Sequence, residues 1–116
     1  MRLFSTPRYE KDAKRLLKAE EQTAMELAIV SDPDAHPVMP GMGGIRKARW
    51  ARHGGGKSGG VRTIYYYRVA DSKIYLLFVY AKNEQADLTP EQRKQARRVV
   101  EVIEHGKGKN QKEGRQ

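Results

Sequence analysis

Three strand-like runs, punctuated by turn residues, fill residues 43–82 and carry nearly all of the excess positive charge of this chain. The stretch reads GGIRKARWARHGGGKSGGVRTIYYYRVADSKIYLLFVYAK. Strands this short and this close in sequence pair as an antiparallel meander, which needs helices from elsewhere to cover it. Residues 41–82 hold nine Lys/Arg against a single acid, Asp71, a balance of +8 within a formal total of +9. Residues 1–40 balance at −1 and residues 83–116 at +2. Basic charge gathered on a small sheet is the footprint of a surface that meets a polyanion.

A chain of 116 residues forms one domain with a single modest core. That domain is expected over residues 1–105, with residues 106–116 as a disordered basic tail. The absence of cysteine excludes disulfides, thiolate zinc sites and a cysteine nucleophile. His36, His53 and His105 are scattered, which argues against a metal site, and no cofactor is expected. No apolar run approaches a membrane span, and the N-terminus lacks the apolar core of a signal peptide. The expected setting is the cytoplasm.

Along the chain, Arg2–Ser5 reads as a short strand. Thr6-Pro7 starts a helix, with Thr6 as N-cap and Pro7 at the first helical position, and Tyr9, Ala13, Leu16 and Leu17 recur behind it at helical spacing. A second helix is expected over Glu20 to Val30, with Ala24, Leu27 and Ala28 on its buried stripe, ended by Asp32-Pro33. Residues 32–44 form a loop. Strands follow at Ile45–Ala51, Val61–Val69 and Ile74–Ala81, the last two joined at Asp71-Ser72. Thr89-Pro90-Glu91-Gln92 is a capping box opening a final helix, whose buried stripe is Ala96, Val99, Val100 and Ile103. The order β-α-α-β-β-β-α is an α+β layout, built on a small antiparallel sheet with helices packed on it.

Alternation sends Lys47 and Arg49 to the same face of their strand as Ile45, with Arg46, Ala48 and Trp50 on the other. Arg62 opens the next strand and Lys82 closes the last. If the three strands are neighbours, Lys47, Arg49, Arg62 and Lys82 converge on one region of one face. A solvated basic face is the plain reading of such residues. Like charges side by side are costly unless solvent or an anion screens them, and the convergence favours a site. The glycine-rich loop HGGGKSGG is not a phosphate loop, because position 51 is Ala51 rather than glycine and a strand follows where that motif needs a helix. It reads as a hairpin loop, or as a basic finger through which Arg52 and Lys57 reach a phosphate backbone. His53 within it is a solvated loop histidine or a proton carrier. In Tyr65-Tyr66-Tyr67 the rings serve packing, with Tyr66 the one able to stack on a base.

The blocks Gly43-Gly44-Ile45-Arg46-Lys47-x-Arg49, Gly59-Gly60-x-Arg62-x-Ile64-Tyr65-Tyr66, Tyr80-Ala81-Lys82-Asn83-Glu84, Asp87-Leu88-Thr89 and Gln92-Arg93-Lys94 resemble, in order and spacing, the RelE/HigB group of toxins from bacterial toxin–antitoxin pairs. The resemblance covers residues 43–100 well and the first third loosely. It implies a small antiparallel sheet with helices, and a ribosome-dependent, metal-independent endoribonuclease that cuts messenger RNA in the decoding site. In that reaction the ribose 2′-hydroxyl attacks the adjacent phosphate. By the same resemblance Lys47, Arg49, Arg62 and Lys82 are the catalytic set, with Arg62 as the phosphate clamp. A lysine base would need a depressed pKa, which neighbouring cations and partial burial supply. Arg46, Arg52, Lys57, Tyr66 and Arg68 are expected to contact RNA or ribosome. Relatives carry an arginine where Asn83 stands and a tyrosine near Leu88 and Thr89, so the general acid is open among Lys82, His53 and ribosomal groups.

The resemblance also implies a cognate antitoxin that neutralises the toxin, and promoter DNA as a partner only of the toxin–antitoxin complex. Two other readings carry different outcomes: a ParE-like toxin that blocks DNA gyrase and cuts nothing, and a non-catalytic RNA-binding module.

Overall fold

The computed structural model describes residues 1–51 and 60–106. The chain runs β1 (Arg2–Ser5), α1 (Pro7–Leu16), α2 (Ala19–Ser31), β2 (Ile45–Trp50), β3 (Val61–Arg68), a 3₁₀ turn (Val69–Asp71), β4 (Lys73–Ala81) and α3 (Pro90–Glu101), which passes into a π-helical turn over Val102–Gly106. The expected element order holds. Arg52, His53, Lys57 and Ser58 lie outside the described residues, as does the expected tail from residue 107 on, whereas Gly106 closes the π-helical turn.

The sheet has the order β1-β4-β3-β2. β2, β3 and β4 form the antiparallel meander, but β1 joins β4 in parallel, so the sheet is mixed rather than wholly antiparallel. Parallel pairing needs a long connection between the partners, and here two helices and two strands intervene. The Thr6 side chain fastens this edge, donating to the Leu77 carbonyl at 2.8 Å while accepting from the Tyr9 amide at 3.0 Å as the α1 cap.

Each face of the sheet has its own core. On one, Ala48, Val61, Tyr65, Leu76, Val79 and Ala81 pack against Tyr9, Ala13, Leu16 and Leu17 of the first helical segment and Met25 and Ile29 of α2. On the other, Ile45, Ile64, Leu77, Phe78 and Tyr80 pack against Ala96 and Val100 of α3, with Met39 and Met42 from the loop before β2. The α2 stripe differs from expectation: Ala24, Leu27 and Ala28 are exposed, Leu27 by 63%, and Met25 and Ile29 are buried instead. The run AMELAIV is apolar on most sides, so packing rather than periodicity selects its inner face.

One extra residue lets β4 serve both cores. Ile64 pairs with Phe78 and Tyr65 with Leu76, leaving Leu77 as a bulge. Leu76 thus faces the α1–α2 side, and Leu77 and Phe78 face α3.

Candidate functional site

The α3 face of the sheet becomes basic at one end. Arg49 lies directly opposite Arg62 across β2 and β3, Lys47 lies opposite Ile64, and Arg62 lies opposite Tyr80 of β4. Strand alternation puts Lys47, Arg49, Arg62 and Tyr80 on one face. Lys82 follows at the same end, its backbone amide donating to the Gly60 carbonyl at 3.0 Å, with its side chain exposed. Gly60 holds φ at +69°, and a Cβ there would stand 2.1 Å from the Trp50 carbonyl oxygen. Glycine is therefore what allows β3 to start so close to the end of β2.

Two features of this cluster differ from the sequence expectation. Arg62 is not turned to solvent: it is 9% exposed, and Nη1 lies 3.4 Å from the Val61 carbonyl. Its place in the middle of the β2-β3-β4 row, facing the α3 layer, accounts for the burial. Lys47 is not surrounded only by cations. Its ammonium lies 3.2 Å from Oδ1 of Asp87, whose Oδ2 accepts from Arg93 Nη2 at 3.0 Å. Among the described residues Arg49 is exposed and forms no ion pair.

Sequence reasoning missed Asp87, Arg93 and Tyr80. Asp87 accepts from the Leu88 amide at 2.8 Å on the approach to α3. Partial burial pushes its carboxyl up, but the Leu88 amide, Lys47 and Arg93 together outweigh that and hold it below the usual range. The Tyr80 hydroxyl is buried without a hydrogen bond of ordinary geometry. Burial raises its pKa, Asp87 adds to the rise, and Arg62 and Arg93 oppose it. Asp87 and Arg93 stand in two of the blocks that carry the resemblance and flank the Thr89 capping box, but no role was read from them there.

The remaining expected contacts lie apart from this cluster. The Arg46 guanidinium is on the opposite face, donating to the carbonyls of His36 at 2.7 Å and Asp34 at 3.1 Å. Tyr66 stacks on Tyr75, centroids 6.4 Å apart, and its hydroxyl donates to Glu104. Burial, then Glu104, raises its pKa to about 12. Arg68 reaches the same carboxylate at 3.0 Å and Asp71 at 2.9 Å. Tyr66 and Arg68 thus fasten the π-helical turn to β3, about 13 and 20 Å along the strand from Arg62 on a rise of roughly 3.3 Å per residue.

Beside the basic row a cleft of about 450 Å³ opens between β2 and the loop before it, lined by His36, Pro37, Val38, Met39, Pro40, Lys47 and Arg49. Among the described residues no group of three or more His, Asp or Glu could hold a metal ion, and no helix is long and apolar enough to cross a membrane.

A family model described as the RelE toxin of the RelE/RelB toxin–antitoxin system matches residues 1–113. The fold is similar to that of an arginine-to-alanine double mutant of Escherichia coli RelE in the free state, at a TM-score of 0.60 and 16% identity over 85% of this chain and 96% of that one. It is also similar to isolated E. coli RelE, with a TM-score of 0.54 and 17% identity over 84% and 97% of the two chains. A third similarity is to a chain of the intact E. coli RelBE toxin–antitoxin complex, at 0.52 and 18% over 67% and 92%. At these identities the structures speak for the fold alone.

Proposed function

This chain belongs to the RelE toxin family of toxin–antitoxin systems, and from that premise we propose that it is a ribosome-dependent endonuclease of messenger RNA. The observation that carries the proposal is the Arg49–Arg62 pair, two guanidinium-bearing residues directly opposite each other on adjacent strands, with Lys47 beside them. Like charges so placed destabilise a sheet unless an anion comes between them. The phosphorane formed in RNA cleavage is such an anion.

In the reaction the 2′-oxygen forms a bond to phosphorus, and the bond from phosphorus to the 5′-oxygen breaks. A base takes the 2′-hydroxyl proton and an acid returns one to the 5′-oxygen. The products are a 2′,3′-cyclic phosphate and a 5′-hydroxyl. Arg62, held by strand pairing, and Arg49, exposed beside it, stabilise the charge that grows on the non-bridging oxygens. A guanidinium does this with two parallel hydrogen bonds. Lys47 acts as the base once its pair with Asp87 opens. The acid is Lys82 or a ribosomal group.

By the same reading a cognate antitoxin binds and neutralises the toxin; the solved E. coli RelBE structure is a toxin–antitoxin complex of that protein. Action on ribosomes puts the toxin in the cytoplasm. The test is translation in a purified system with primer extension across the message. Stops within codons at the ribosomal decoding site are expected. Intact message together with blocked gyrase would transfer the chain to the ParE-like reading.

A further inference from the structure

The cleft beside β2 is built from unlike walls. One wall is the segment Pro37–Pro40, and the other is the basic row of Lys47 and Arg49. The first wall is held in place. The Met39 amide donates to the Ile45 carbonyl at 2.8 Å, the Lys47 amide donates to the Pro37 carbonyl at 3.1 Å, and Val38 bridges Arg46. From the far side the Arg46 guanidinium grips the His36 carbonyl. Two prolines further restrict the backbone. Met39 is 5% exposed and roots the segment in the core, whereas Val38 is 49% exposed. The result is a pre-formed apolar surface bordered by two cations, with a volume inside the range of about 300–1,000 Å³ common for ligand sites.

We propose that this cleft is a nucleobase subsite, seating the base next to the phosphate that Arg49 and Arg62 hold. The inference rests on the nuclease reading for its phosphate. Its own support is the pairing of an apolar wall with a cationic one, which matches a nucleotide: an apolar base face for the first and an anion for the other. A free hydrocarbon chain would leave Arg49 unmatched, and a bare phosphate would leave Val38 in water. Phosphate contacts carry no sequence information, whereas contacts to a base do. The Pro37–Pro40 segment therefore sets any preference among bases.

The experiment is a titration of the whole chain, labelled at Val and Met methyls, with adenosine monophosphate and, separately, ribose 5-phosphate. Both ligands are expected to perturb amides around Lys47 and Arg49, but only the nucleotide is expected to move the Val38 and Met39 methyls. Val38→Trp, which fills the cleft, is expected to weaken nucleotide binding at least tenfold and leave ribose phosphate binding unchanged. On programmed ribosomes it slows cleavage at least tenfold. Val38→Ala, a milder change at an exposed position, is expected to shift the ratio of cleaved codons. Methyls that respond alike to the two ligands overturn the subsite. So does a folded Val38→Trp protein that loses only antitoxin binding, which would give the cleft to the antitoxin. If the wild type cuts no message, the nuclease reading fails, and the titration still decides whether the cleft takes a base.

Discussion

Arg49 and Arg62 face each other across β2 and β3, one exposed and one 9% exposed. A directly opposed like-charge pair is destabilising, by roughly 0.2–1 kcal/mol on the scale of cross-strand pairs. Arg49→Gln is therefore expected to raise the melting temperature by a few degrees while lowering cleavage. Sulfate or phosphate is expected to stabilise the wild type more than this variant. Thermal melts in matched chloride and sulfate buffers check the idea, and a less stable Arg49→Gln protein would remove the repulsion from the account.

Arg62 is the residue on which cleavage is expected to depend most. Loss of one electrostatic donor to a developing oxyanion costs about two to three decades in rate, and Arg62→Ala is predicted to lose that much. Arg62→Lys retains the charge but not the fork, so it is predicted to recover only part. Because the side chain is buried, both variants are also expected to melt below the wild type. Single-turnover cleavage on programmed ribosomes, read only on protein that is folded at the assay temperature, separates the two effects. A wild-type rate from folded Arg62→Ala would take Arg62 out of the site.

Stability at acid pH follows from Asp87. Its folded carboxyl ionises below the ordinary value of 3.8 because the Leu88 amide, Lys47 and Arg93 outweigh the cost of burial. Its contribution is complete above that ordinary value and is lost as pH falls through the lowered folded one. Glu104 acts in the same sense, held down by the hydrogen bond from Tyr66 and by Arg68. The melting temperature is therefore expected to drop as pH falls below about 4, on the ordinary carboxylate scale. Asp87→Asn is expected to be less stable at neutral pH and to lose less on acidification. Parallel melting curves of the two proteins across this range would contradict the assignment.

Salt dependence should report fewer cations than the charge count suggests. Arg46, Arg68 and Lys73 are engaged with acids or carbonyls of the protein itself. RNA affinity is expected to fall with salt at a logarithmic slope of roughly −1.5 to −3, that is about 0.7 per phosphate for two to four phosphates. Arg49→Ala is predicted to reduce the slope by about 0.7, and Arg68→Ala to leave it unchanged. A slope unaffected by Arg49 would exclude it from phosphate contact.

Gly60 is expected to tolerate no side chain. Its positive φ and the approach of the Trp50 carbonyl to 2.1 Å from a Cβ make alanine strained and clashing. Gly60→Ala is predicted to cost at least about 2 kcal/mol and to misplace Arg62 two residues on. Chemical denaturation measures the first effect, and loss of cleavage beyond the loss of folded protein measures the second.

Local chemistry was legible in the sequence where it was self-contained. Thr6-Pro7 and the Thr89–Gln92 box carry their own cap geometry, and both open helices where expected. Alternation alone put Lys47 and Arg49 on one face. What depends on remote partners was not legible. The direction of β1 is decided by β4, 71 residues away. The inner face of α2 is decided by the sheet, because its sequence is apolar on most sides. The burial of Arg62 is a property of its central position, and Asp87 becomes part of the basic cluster only when the segment before α3 folds across the sheet.

The bulge at Leu77 makes β4 a matter of parity. With the extra residue, Val79 counts as odd and meets the α1–α2 core, while Tyr80 counts as even and stands across from Arg62. Pair the same residues without the bulge and every side chain beyond Leu76 changes layers: Tyr80 would enter the opposite core, Val79 would take its place across from Arg62, and Lys82 would move with them. The composition of the strand would not change. Whether the basic end of the sheet has its tyrosine is therefore set by the one residue that β4 leaves unpaired, as much as by which residues it contains.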